Sequence, residues 1–159
     1  MKNLLTLFFT FITFAAMAQQ TAAPVLTGKT EIQKIKDAKT CPWYQPAYDS
    51  YKPDATVVAS LKKALPANAT FLVFGGTWCS DTQNLFPKFF KVLAETGIPE
   101  KQVQLYLVDE QKNSPEKLEK QYGVNNVPTF IILHNGEEKG RVVETVRQSI
   151  EADLLQLLQ

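Results

Sequence analysis

The run Thr70-Phe71-Leu72-Val73-Phe74-Gly75-Gly76-Thr77-Trp78-Cys79-Ser80-Asp81-Thr82 changes hydrophobic period part-way, and the neighbouring elements can be read outward from it. Residues 70–74 form a short continuous apolar run, the pattern of a strand buried on both faces. Past Cys79, Leu85, Phe86, Phe89, Phe90 and Leu93 fall at helical spacing and make an apolar stripe that Gly97 stops. Toward the C-terminus the pattern predicts a second buried strand over residues 103–108 and a short helix over 115–122, begun by a Ser114 cap. A third strand follows over 128–133. Asn135-Gly136 then makes a hairpin turn into a strand over 140–145, and an amphipathic helix over 149–158 closes the chain. Toward the N-terminus, Asp54 caps a helix that carries Val57, Val58, Leu61 and Leu65 and ends at Pro66.

Strand and helix therefore alternate before two strands pair through a hairpin, which predicts an α/β sheet of parallel strands with an antiparallel edge, covered by helices. Ahead of Asp54 the patterns weaken. Residues 30–39 allow a short charged helix with Ile32 and Ile35 on one face. Residues 40–53 hold four aromatics, Trp43, Tyr44, Tyr48 and Tyr51, with Pro42, Pro46 and Pro53, a composition that argues against a regular helix and predicts a loop packed as a cap. Residues 19–28 read as a tether without periodicity.

Composition removes several function classes. The chain has 159 residues, 17 Lys and Arg against 16 Asp and Glu, and a formal net charge of +1. No block of like charge gives the footprint of a nucleic-acid binder. Cys41, Cys79 and the single histidine, His134, are three widely spaced soft ligands, too few for a four-ligand structural zinc site without carboxylates. Gly75-Gly76 runs into Thr77-Trp78 rather than a lysine, so no phosphate loop is present, and neither a nucleophile elbow nor a dinucleotide fingerprint occurs. No metal or dissociable cofactor is implied.

The first residues read as a leader. Lys2 is a short positive region, residues 4–14 are apolar apart from threonines, and Ala16-Met17-Ala18 is a small-x-small cleavage site ahead of Gln19. The apolar stretch falls short of the roughly 20 residues that span a bilayer. The expectation is an exported chain, periplasmic if the host is a Gram-negative bacterium and otherwise secreted, with no membrane segment after cleavage. Export places both cysteines where disulfides persist, so each must be paired, reactive or merely tolerated. Three segments follow: a signal peptide at 1–18, an N-terminal extension at 19–53 and a folded domain at 54–159.

The chain resembles the thioredoxin superfamily over about residues 54–159. The residues that carry the resemblance are Trp78-Cys79-Ser80-Asp81-Thr82 at a strand-to-helix junction, Val127-Pro128-Thr129 opening a later strand after Tyr122-Gly123-Val124, and Pro87 eight residues after Cys79. Asp109 ending the second strand and the Asn135-Gly136 hairpin add to it. The resemblance implies a thioredoxin-like fold, a central mixed β-sheet flanked by helices, and thiol–disulfide exchange in which Cys79 forms mixed disulfides with protein thiols, disulfides or small thiols. It implies a cis Pro128 facing Cys79, with the Val127 backbone pairing with an extended substrate, and Trp78 on the peptide-binding rim.

Two departures qualify that activity. The family's second cysteine, three residues after the first, is here Thr82, and the buried acid it often carries six residues before falls on Val73. The motif is monothiol. Unpaired N–H groups at a helix start favour a thiolate, whereas Asp81 adds a negative charge beside the sulfur, so the two oppose. Thr82 can offer a hydroxyl to the sulfur but cannot attack a disulfide. Cys41 is then a possible resolving thiol, a structural disulfide partner of Cys79, or a lone thiol, since sequence does not fix connectivity. A binding module that kept the fold and lost redox turnover is the alternative reading, and a part of a larger envelope complex is another. His134, at a strand end away from the site in the resembled fold, reads as a surface residue.

Overall fold

In the computed structural model, which describes residues 25–159, a five-stranded sheet is built around β2 (Ala69–Gly75). Its neighbours are β3 (Val103–Leu107) and β4 (Thr129–His134), and the edges are β1 (Gly28–Thr30) and β5 (Glu137–Val143), giving the order β1-β3-β2-β4-β5. The leader at 1–18 and the first part of the tether lie outside the described residues.

Only β2 and β3 run parallel, with Phe71 opposite Val103 and Gly75 opposite Leu107. The pairs β1–β3, β2–β4 and β4–β5 are antiparallel. The sheet is thus mixed, and the expectation of parallel strands with one antiparallel edge is corrected. Parallel neighbours need a long crossover. Helix α4 (Ser80–Thr96) supplies one between β2 and β3, but the next connection returns β4 on the other side of β2 in the opposite sense. Alternation along the sequence fixes element type, not strand direction.

Side chains of the sheet alternate between two apolar clusters. Phe71, Val73, Leu105, Leu107, Phe130 and Ile132 face one side, where α4 contributes Phe86, Phe89 and Phe90. Leu61 of α3 (Ala55–Ala64), with Ile150 and Leu154 of α6 (Ile150–Gln156), completes that layer. The opposite side holds Leu72, Phe74, Tyr106, Val108, Ile131 and Leu133 under a much thinner cover of Val124, Val127, Leu118 and Tyr122. Rings of Phe89 and Phe130 lie 4.5 Å apart, and removing a fully buried ring of this kind costs about 3–5 kcal/mol.

The Asp54 cap is present, and a second side-chain cap, at Ser149, starts α6. Asp54 accepts from the Thr56 and Val57 N–H groups at 2.8 and 3.1 Å, and Ser149 accepts from Ala152 N–H at 3.3 Å. Gly97 ends α4 at φ 82°, a left-handed position that favours glycine.

Three local readings change. Residues 40–53 are not all loop: α2 (Tyr44–Ser50) forms there. Pro46 stands in its first turn, where backbone N–H groups have no helical partner to lose, and Pro42 and Pro53 lie outside it. The helix predicted over 115–122 shrinks to α5 (Leu118–Gln121), because Lys117 takes a left-handed φ of 55° and the Ser114 hydroxyl donates to Glu119 at 2.5 Å instead of capping. Finally, Gly28, read as tether, begins β1, a strand of 3 residues that is too short to show a period.

The segment before Asp54 is woven into the same core. Ile32 and Ile35 of α1 (Ile32–Lys36) are buried, and Tyr44 stacks on Tyr48 with centroids 5.9 Å apart. Glu151, 3% exposed, accepts from the Tyr51 hydroxyl at 2.5 Å and from Asp54 N–H at 3.1 Å, which ties the α2–α3 junction to α6.

Candidate functional site

At the C-terminal end of β2 the two glycines are required by close approach. A Cβ on Gly75 would lie 2.1 Å from the Phe86 ring, and one on Gly76 would lie 2.5 Å from the Trp78 indole nitrogen. The chain therefore passes beneath two aromatic rings before entering α4. Trp78 is held over this turn by its indole N–H, which donates to the Val108 carbonyl at 3.0 Å. Gln83, which no sequence motif marks, donates its amide to the Thr77 carbonyl at 2.8 Å and fixes the turn from the other side.

Cys79 is the N-cap of α4, with extended backbone (φ −85°, ψ 125°), and is half-buried. Its sulfur caps no helical N–H. Instead the thiol donates to the Val127 carbonyl at 3.4 Å, across a Val127–Pro128 peptide that is cis. Ser80 is exposed and Asp81 half-buried in the first turn. Thr82 is fully buried, and its hydroxyl accepts from Gly76 N–H at 3.2 Å. The expected hydrogen bond from Thr82 to the sulfur is thus replaced by one to the backbone, which braces the turn that carries Cys79. Val73, standing where the resembled family often has a buried acid, is enclosed by apolar residues.

The structure brings Trp78, Cys79, Thr82, Val127 and Pro128 together; the sulfur of Cys41 is not among them. Neither cysteine is in a disulfide. Cys41 is 1% exposed and belongs to the helix-covered cluster, whereas Cys79 packs against the cluster on the opposite side of the sheet. Burial, reinforced by Asp37, pushes the Cys41 thiol up to about 11. Its neighbours Thr40, Pro42 and Trp43 do reach the site, lining with Thr77, Trp78 and Gln83 a cavity of about 180 Å³. His134 sits at the far end of the sheet, opposite Ala69 and Glu137.

A thioredoxin family model matches residues 54–156. The chain belongs to the thioredoxin family. Among solved structures, this thioredoxin-family chain is similar to a Pseudomonas aeruginosa protein of unknown function, with TM-score 0.50 and 15% identity over 74% of this chain and 78% of that one. It is also similar to thioredoxin O2 from Arabidopsis thaliana in its oxidised state, with TM-score 0.43 and 20% identity over 69% and 92% of the two chains. Fasciola hepatica thioredoxin gives TM-score 0.37 and 24% identity over 56% and 79%. No curated protein gives a significant match. Among the described residues, no helix is long and apolar enough to cross a membrane.

Proposed function

We propose that this thioredoxin-family chain carries out thiol–disulfide exchange through Cys79 alone. The observation that carries the reading is the sulfur itself, half-buried at the start of α4 and 3.4 Å from the Val127 carbonyl, on the thinly covered side of the sheet. In the forward step the Cys79 sulfur, having lost its proton, attacks one sulfur of a substrate disulfide. The substrate S–S bond breaks, a mixed disulfide forms, and the departing sulfur leaves as a thiolate that takes up a proton. When Cys79 is engaged in that bond the Val127 carbonyl no longer receives its thiol, and the Val127–Pro128 backbone becomes available to an extended substrate strand.

Release needs a second thiol. With Thr82 buried against Gly76 and Cys41 enclosed in the other cluster with its thiol pushed up to about 11, an external thiol, from a protein or a small molecule, attacks the mixed disulfide and regenerates Cys79. The leader pattern at Lys2 and Ala16-Met17-Ala18 adds to the proposal a site of action outside the cytosol, with a mature N-terminus at Gln19 that N-terminal sequencing of protein expressed in the secreting host would read.

The test is intact-mass measurement after the reduced protein meets oxidised glutathione. One glutathione adduct is expected on the wild type and on Cys41→Ser, and none on Cys79→Ser. An adduct mapped to Cys41, or no adduct on folded wild type, overturns the reading and favours a second one, supported by the loss of the second cysteine at Thr82: a thioredoxin-fold module that binds extended peptides without redox turnover.

A further inference from the structure

Val127, whose carbonyl holds the Cys79 thiol, lies outside the sheet ladders. At this end of the sheet the pairings of β4 with β2 and with β5 both stop at Thr129, and one further backbone bond runs from Glu144 N–H to the Pro128 carbonyl at 2.7 Å. Strand pairing therefore does not fix the peptide against which the sulfur rests. Asn126, one residue earlier, does so with both ends of its side chain. Its Oδ1 accepts from Lys112 Nζ at 3.1 Å, and its Nδ2 donates to Glu144 Oε2 at 3.1 Å. Its backbone carbonyl accepts from the Thr129 hydroxyl at 2.7 Å. One half-buried carboxamide thus bridges a cation in the β3–β4 connection and an anion just past β5.

The charges make this bridge directional. A carboxamide has an acceptor end and a donor end, and each here faces an ion of the matching kind, the arrangement in which hydrogen bonds are strongest. A carboxylate at position 126 would satisfy Lys112 but oppose Glu144. Both ionic partners hold left-handed backbone, φ 60° at Lys112 and 62° at Glu144, although neither is glycine. Such conformations cost energy and persist where the surrounding contacts impose them. Lys112 is set by a tight turn: its N–H donates to the Asp109 carbonyl at 2.8 Å, and Asp109 Oδ1 accepts from Asn113 N–H at 2.8 Å.

We infer that Asn126 is a positioning residue for exchange with disulfides carried on extended peptides: clamped between Lys112 and Glu144, it sets the Val127 peptide where a substrate strand pairs. The inference rests on the exchange proposed for Cys79 and leaves the bonds made and broken there unchanged. Asn126 acts through Val127, not on the sulfur. A disulfide without peptide groups has no strand to align and gains nothing from the clamp, whereas one on an extended backbone is held in line for attack.

The test compares two disulfides: the homodisulfide of a blocked pentapeptide with one central cysteine, and hydroxyethyl disulfide, which has no peptide groups. Intact mass follows adduct formation on Cys79, and the ratio of the two rates is the readout. In Asn126→Asp the ratio is expected to fall by about tenfold, since a misplaced pairing peptide forfeits hydrogen bonds of that order. Asn126→Ala, which leaves both ions to water, is expected to lower it in the same direction. Adding Glu144→Gln to Asn126→Asp restores a donor opposite the new carboxylate at the same net charge, and is expected to bring the ratio back to within about threefold of the wild type. A role in stability alone would slow both disulfides together. An unchanged ratio in folded Asn126→Asp, or no recovery in the double variant, overturns the inference. A second measurement separates this from failure of the exchange itself: the same pentapeptide with serine for cysteine is titrated into isotope-labelled Cys79→Ser and followed by the amide shifts of Asn126, Val127 and Thr129. Should the wild type react with neither disulfide, the proposed exchange fails. Saturable shifts that Asn126→Asp weakens and the double variant restores still support the clamp, and their absence overturns it.

Discussion

Cys41 and Cys79 are two thiols in one sheet-centred fold, and they differ in almost everything that governs reactivity. Cys41 follows α1 and is sealed among Ile35, Tyr44 and the helix-covered cluster, with burial and Asp37 holding its proton in place. Cys79 stands at a strand-to-helix junction on the side where cover is thin, next to a cis Val127–Pro128 peptide and a fixed tryptophan. The chain sorts its two sulfurs by layer thickness: helices on one side make a closed core, and the short α5 with its irregular connection leaves the other side open to a partner.

The largest expected difference is in alkylation. A thiol at about 11 is ionised in only about one molecule in 10⁴ at pH 7, and burial of Cys41 removes access as well. In the folded, reduced protein iodoacetamide at pH 7 should label Cys79 faster than Cys41 by at least about a hundredfold, with equal rates after denaturation. Peptide mapping after brief labelling reads this ratio. Predominant labelling of Cys41 would remove the distinction on which the proposed function rests.

A second sulfur tests how far the monothiol character depends on one position. Thr82→Cys puts a thiol three residues after Cys79, in a site that a side chain of similar volume already fills. The glutathione adduct on Cys79 should then collapse into an internal disulfide, with a lifetime shorter than the wild type's by about a hundredfold or more, because an intramolecular thiol acts at high effective concentration. Equal adduct lifetimes would mean that a side chain at position 82, buried beneath the turn at Gly76, does not reach the Cys79 sulfur. Restoring Thr82 while substituting Cys41→Ser should leave the lifetime at the wild-type value, since resolution is ascribed to an external thiol.

The sequence made the two sulfurs unequally legible for the same physical reasons. Around Cys79 the period changes from a buried strand to a 3.6-residue stripe, so the junction and the role of Phe86 and Phe89 could be read directly. Asp54, Ser149 and Gly97 carry their meaning in residue type alone, and all three end or begin helices as expected. Around Cys41 the decisive facts are tertiary. Pro46 is harmless once it occupies the first turn of α2, but nothing local says that the helix begins at Tyr44. Direction of β4 and the reassignment of Ser114 from cap to Glu119 partner likewise depend on contacts between distant segments. The Gly75-Gly76 pair served only to exclude a phosphate loop, yet its meaning is steric: Phe86 and Trp78 occupy the space a side chain would need.

Alkaline stability probes the Cys41 half of the contrast. Its thiol is raised from an ordinary 9.0 to about 11 in the folded chain, so the folded state holds a proton that the unfolded state gives up. The stability contributed is full below about pH 9 and is lost as pH rises through 11, the sign that linkage requires when the native state binds more protons. Between pH 7.5 and 10.5 the wild type should lose about 2 kcal/mol more than Cys41→Ala in urea unfolding. Tyr44 and Tyr51, both raised by burial, add an alkaline loss of their own that is common to the two proteins and cancels in the comparison. Parallel pH profiles would show that Cys41 meets water in the folded state and would weaken its separation from Cys79.

The smallest effect is expected at the rim of the Cys79 site, from Trp78→Phe. Phenylalanine keeps an aromatic ring above Gly76, where the glycine leaves room for it, but cannot donate to Val108. Losing that hydrogen bond should lower stability by about 1 kcal/mol, more if the Val108 carbonyl is left without a partner, because a net protein hydrogen bond is of that order. The sulfur keeps its place at the start of α4, fixed by Gly76, Thr82 and Gln83 rather than by the indole, so the rate of glutathione adduct formation should change by no more than about threefold. A much larger fall in rate with unchanged stability would move Trp78 from supporting the turn to contacting the substrate, and would extend the reactive surface from Cys79 and Val127 toward Trp43 and the 180 Å³ cavity between the two tryptophans.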